Sequence, residues 1–325
     1  VNTVPILNKS MTENPTIKQT ISELEKAVDL FYSKSQENPE EGKALNDQLV
    51  AWAATPESLP IKLEIIATSH NERLRFFVAV NLYHFIDSNG KLFTQENFVQ
   101  MAQLFIHFIM NNINRIDKED TKFVLLSLAA LCGMNFSLLE QIEATFPTEV
   151  FLMLFADFTE VISNPYFKGR YSVDHNLLDP LKPSIFEKFS QVPFNMHWAQ
   201  SFQKIFHYCL CPNLCIPYLP QIKQMAEKCI QLFTIFFDDS IKMDFSDPNV
   251  LLFDTELTVI AIEAAKVFPN FGNSIWKTIF EADKDFFIES DRIEFTENVF
   301  KCFFEQMPSL YIDANLFYDI VSPIC

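Results

Sequence analysis

Glycine is almost missing from this chain: five residues in 325, where about 7% is usual. They stand at 42, 90, 133, 169 and 272, too far apart to build a G-x-G-x-x-G turn or a P-loop, which excludes Rossmann and Walker nucleotide sites. No G-x-S-x-G and no H-E-x-x-H occurs either. So little glycine also removes the left-handed positions that tight turns need, a loss β-rich folds bear badly and helices hardly notice. Positive charge is scarce as well. Lys and Arg total 25 against 42 Asp and Glu, for a net charge of −17 and a pI near 4.7. That argues against direct contact with a nucleic-acid backbone, which needs a basic face, and favours basic partners. No apolar run reaches the 18 or more residues of a membrane span, so no membrane insertion is expected. The opening VNTVPILNKSMTENP lacks a cationic start followed by an apolar block and reads as no signal peptide. The seven cysteines are an odd number, four of them within 209–229. They do not form a disulfide framework and read as reduced, buried thiols of an intracellular protein.

What is abundant is apolar and aromatic. Apolar residues make up 49% of the chain, and 35 residues are Phe. Two readings of the Phe excess stand: a genome biased toward A/T-rich codons, or large rings packed between stacked helices. The apolar residues recur with helical spacing. Ile17, Ile21, Leu24, Val28, Phe31 and Tyr32 share a face, and Ala44, Leu45, Leu49 and Trp52 share another, stopped by Pro56. Pro60 suits a first helical turn. Ser69 or Asn71 caps a helix carrying FFVAVNLYHFI, apolar almost all round and closed by Asn89-Gly90. Thr94 to Asn97 opens the next. Further helices are expected over 121–132, 136–146, 149–163, 184–191, 196–210, 217–237, 250–267, 273–289 and 292–307. No segment shows strand alternation between turn signals. The fold class is all-α.

The helices pair: 16–33 with 43–54, 61–69 with 72–87, 95–114 with 121–132. The spacing is that of HEAT and armadillo repeats, about 40–47 residues, and about seven such hairpins fit the chain. An α-solenoid also explains the helix that is apolar all round, since a helix in the middle of a stack is covered by its own partner and by both neighbouring repeats. The organisation expected is a flexible segment over 1–14, helical repeats over 15–132, and continuing repeats over 133–325 with long loops at 164–183 and 238–249.

No catalytic constellation emerges. His207, Cys209, Cys211 and Cys215 in HYCLCPNLC offer three sulfurs and an imidazole to zinc, but Cys-x-Cys-x₃-Cys is not a usual zinc spacing and soft packing at a helix end broken by Pro212 is the favoured reading. His84 and His107 lie in apolar helices and read as packed or groove-facing imidazoles. Glu40-Glu41 and Asp238-Asp239 read as solvated acidic pairs. No cofactor and no metal are expected.

Over residues 20–86 the chain resembles the N-terminal region of importin-β-like nuclear transport receptors, the karyopherins. The resemblance is carried by Leu30-Phe31-Tyr32, Asn38-Pro39, Leu49 with Trp52, Thr55-Pro56, Ile65-Ile66, and Phe76-Phe77-Val78-Ala79 with Leu82. Leu59 or Pro60 stands where an aromatic is frequent in the family, and IDSNG replaces its basic run and tryptophan. Residues 90–325 add all-α pairing, which looks most like the transportin-3, importin-13 and exportin branch. The resemblance implies a carrier that shuttles between nucleus and cytoplasm, without catalysis. It would bind the GTPase Ran in its GTP form through inner helices, phenylalanine-glycine nucleoporins between outer helices, and protein cargo on a concave surface. By position in the second repeat, Asn81, His84 and Asp87 become the candidates to face Ran. The start at Val1 and the end in YDIVSPIC match the expectation of a portion of a longer receptor. Two other classes fit parts of the pattern. One is a generic HEAT or armadillo scaffold; the other is an all-α enzyme, which requires a polar constellation in a closed pocket.

Overall fold

The computed structural model describes residues 15–90, 93–164, 192–211 and 219–240, with 260–261, 263–264 and 266–268. Among these, every regular element is helical, so the chain is all-α. It divides into two compact units, Val1–Leu177 and Leu178–Cys325. The helices expected over 184–191, 273–289 and 292–307, most of that over 250–267, the N-terminal segment 1–14 and, apart from Asn164, the loop 164–183 lie outside the described residues. Of the loop expected over 238–249, the first three residues instead continue a helix to Ser240 and the rest lie outside.

Among its described residues the first unit has eight α-helices: α1 (Pro15–Glu37), α2 (Pro39–Ala53), α3 (Leu59–Thr68), α4 (Glu72–Asn89), α5 (Gln95–Asn111), α6 (Glu119–Met134), α7 (Ser137–Glu143) and α8 (Thr148–Ser163). Their boundaries follow local chemistry. Pro39 occupies the first position of α2, where its missing N–H costs nothing, and two acidic residues, Glu40 and Glu41, sit at the positive end of the helix. Thr55 is extended ahead of Pro56, which turns the chain through a short 3₁₀ segment into α3. Of the two caps offered by the sequence, Asn71 serves: its side chain accepts the Leu74 N–H at 3.0 Å. Thr94 and Asn97 form a reciprocal capping box at 3.0 and 3.2 Å. Gly90 departs from expectation. It follows α4 with φ −52°, a right-handed conformation, so the helix does not end in a left-handed glycine turn. Asn89 instead bends its side chain back to donate to Phe85 O at 3.0 Å.

Packing proceeds in hairpins. α1 packs on α2, α3 on α4, α5 on α6, and α7 on α8. The second helices of these hairpins also touch in succession, α2 on α4, α4 on α6 and α6 on α8; among the first helices, α1 touches α3 and α3 touches α5. α6 is therefore covered by α4, α5, α7 and α8, and its burial runs round the whole helix, from Asp120 to Met134. α4 buries Leu74, Val78, Leu82 and Phe85, the stripe read from the sequence, together with Phe77, Ala79 and Ile86. In α5 the buried residues are Phe98, Met101, Ala102, Phe105, Phe108 and Ile109, one face at 3-4 spacing. Burying each such side chain is worth about 1.5–3 kcal/mol relative to leaving it in water.

Rings join neighbouring helices. Phe76 of α4 meets Phe123 of α6 edge-on at 5.9 Å, and Phe136 meets Phe158 of α8 at 5.8 Å. In the second unit α9 (Val192–Leu210) packs on α10 (Leu219–Ser240). Phe202 and Phe206 of α9 both meet Phe233 of α10, at 5.3 and 5.5 Å. Part of the Phe excess is thus committed to ring contacts across helix pairs.

Candidate functional site

A charged face formed by more than one helix of the first unit is built around Tyr83. Tyr83 and Asp87 are four residues apart on α4 and share a side of it. Asp157 and Glu160 do the same at a spacing of three on α8. All three carboxylates act on the phenol. Burial first, then Asp87, Glu160 and Asp157, push Tyr83 up to about 12. A half-buried tyrosine flanked by acids from two helices makes a negative shelf that offers a neutral hydroxyl and an aromatic face.

The three residues singled out for Ran lie along this part of α4. His84 is exposed, its ring 5.3 Å from that of Tyr83. Asp87 is half-buried and belongs to the acidic shelf. Asn81 is half-buried, and its side-chain amide donates to Phe77 O of its own helix at 2.8 Å. His107, on α5, is exposed and bonds Asn111 at 2.9 Å. Of the two readings, packed or groove-facing, exposure removes the packed one for both His84 and His107, since each falls on the uncovered side of its helix. Of the motif residues, Leu49, Phe77 and Leu82 are buried, while Trp52 and Phe76 are half-buried.

Several buried polar groups escaped the sequence reading. Arg75 of α4 donates through Nε to Asp120 of α6 at 2.9 Å and through Nη1 to Ser69 O at 2.9 Å. Both side chains are more than nine-tenths buried, so this ion pair ties two helices inside the core. A heptad-like pattern cannot announce it, since each residue looks like an ordinary charge in a first turn. Lys62 of α3 is fully buried, donating to Ala53 O with its Nζ 4.0 Å from the centre of the Phe85 ring. Cys132 is buried in α6, and burial pushes its thiol well above the usual range, which makes it inert.

The candidate zinc set is not drawn together. His207 at the end of α9 pairs with Glu263 at 3.2 Å, and Cys209 donates to Ile222 O at 3.6 Å. Cys215 lies outside the described residues. Among the described residues no three of His, Cys, Asp and Glu converge as metal ligands, and no helix is long and apolar enough to cross a membrane.

Fold and site together define a class: an all-α protein of packed helical hairpins with an acidic, tyrosine-centred face. Set against family models, curated proteins and solved structures, the chain matches none.

Proposed function

We propose that the chain is a nuclear transport receptor of the karyopherin kind, a non-catalytic binding protein whose hairpins stack as a HEAT-type solenoid. The observation that carries this reading is the order of contacts in the first unit, hairpin on hairpin, with second helices in one succession and first helices in another. The face across α4 and α8 supplies the recognition chemistry: Tyr83, His84, Asp87, Asp157 and Glu160 suit a basic patch on Ran-GTP or on cargo. Val99 and Met110, exposed on α5, are the apolar positions available to phenylalanine-glycine repeats on the other layer.

Binding of the purified chain to Ran loaded with a non-hydrolysable GTP analogue, with Ran-GDP as control, tests the reading. Selective binding to the GTP form, weakened at least tenfold by combined alanine replacement of His84 and Asp87, is the expected result. A folded chain that binds neither form sinks it.

A second reading, a general helical scaffold for basic partners, is favoured by the state of Asn81. One of the three candidate contacts has its donor bonded to its own helix. The same experiment separates the two, because a scaffold has no reason to distinguish the nucleotide states.

A further inference from the structure

Among the described residues Lys62 is the only buried lysine, and three helices meet on it. It sits in the first turn of α3. Its amine donates to the carbonyl of Ala53, the last residue of α2, and lies 4.0 Å over the ring of Phe85 in α4. Ser58 Oγ donates to the same carbonyl at 3.2 Å. A neutral amine has two N–H groups, and these two acceptors satisfy both. An ammonium has three, and carries a charge that needs a counter-ion.

None is supplied. Glu25 of α1 takes the Ser69 hydroxyl at 3.2 Å, Glu72 of α4 pairs with Arg115, and Asp87 lies with Tyr83. Neither these nor Asp47 of α2, Glu64 of α3 or Glu96 of α5 contributes to the lysine's proton affinity, which burial alone lowers.

We propose that Lys62 is a proton-operated latch between α2 and the α3–α4 hairpin: neutral, it joins the three helices, and protonated, it places an unpaired charge beneath them and loosens the first hairpin. Burial lowers the amine from 10.5 to about 7. Between those values the unfolded chain holds a proton that the folded chain does not. Stability therefore rises with pH above about 7, and the gain is absent below it. Tyr83 and Cys132, both raised, act in the opposite sense, but only as pH nears their ordinary values of 10.0 and 9.0. A clean window thus lies between about pH 7 and 8.5.

Urea unfolding of the full chain across that window, beside Lys62→Met, is the test. The unfolding equilibrium constant of the wild-type protein, relative to the variant, should fall about tenfold from the lower to the upper pH. Parallel pH dependences overturn the proposal. Should Lys62→Met fail to fold, the Cε resonance of Lys62 in the native, lysine-labelled protein gives the answer directly. A titration midpoint near neutrality supports the latch, and one above about 9.5, close to a free amine, removes it.

Discussion

Of the 23 residues of α1, Leu24 and Val28 are buried; of the 16 in α6, twelve are. Both helices belong to the first unit, yet α1 meets α2, α3 and α4 along a narrow stripe while α6 is enclosed by α4, α5, α7 and α8. The contrast shows how position in a stack, rather than helix propensity, sets the hydrophobic pattern. A helix at the end keeps a wet face and a sharp stripe. A helix in the middle loses the wet face and with it the periodicity that would announce it, so polar groups such as Asp120 and Ser127 must be satisfied inside.

Three sets of substitutions would break or sharpen that contrast. Breaking the enclosed ion pair has the largest expected effect. Asp120→Ala leaves the Arg75 guanidinium buried without its partner, at a cost of about 3–5 kcal/mol in urea unfolding, whereas the paired change Arg75→Leu with Asp120→Leu should recover most of it. Next comes a comparison of leucines. Leu128→Ala, in the enclosed helix, should cost about 2–5 kcal/mol. Leu30→Ala, at a position 45% exposed on α1, should stay within about 0.5 kcal/mol. Equal losses at the two would show that α1 is covered as fully as α6. The third set, with a smaller loss than Asp120→Ala or Leu128→Ala, concerns the close approach of α1 and α2 at Gly42. A Cβ on Gly42 would stand 2.7 Å from Ser35 Cα and Oγ, so Gly42→Ala must push α1 and α2 apart. A loss of about 1–3 kcal/mol is expected. It should register as an early, local transition in α1 rather than as a shift of the whole unfolding curve.

The helices of the first unit were legible because their signals are local. Asn71 and the Thr94–Asn97 box act within one turn, and the stripe Leu74, Val78, Leu82, Phe85 is a matter of spacing, whereas α2, expected from 43, begins four residues earlier at Pro39. Pairing of neighbours was legible too, since short connections leave adjacent helices little choice. What could not be read was long-range. Arg75 and Asp120 are 45 residues apart, and nothing near either marks them as partners. Tyr83 meets Asp157 and Glu160 only because α4 and α8 approach each other in space. Lys62 resembles any surface lysine until α2 and α4 close over it. For His84 and His107 the sequence left packed and groove-facing positions open, because an apolar neighbourhood does not say which side of a helix stays uncovered; both are exposed. Of the candidate face, Asp87 and His84 came from their position in the second repeat of the family resemblance, Tyr83 was not singled out, and the α8 half needed the fold.

The enclosure of α6 also ranks the fluctuations of the first unit. An amide in α1 can exchange its hydrogen with solvent when one helix lifts away, an event that uncovers little. An amide near Leu128 is exposed only when four neighbours have parted, which amounts to losing the unit. Protection should therefore climb from α1 to α6 as a gradient in opening free energy, and the slowest-exchanging amides will report the stability of the whole unit.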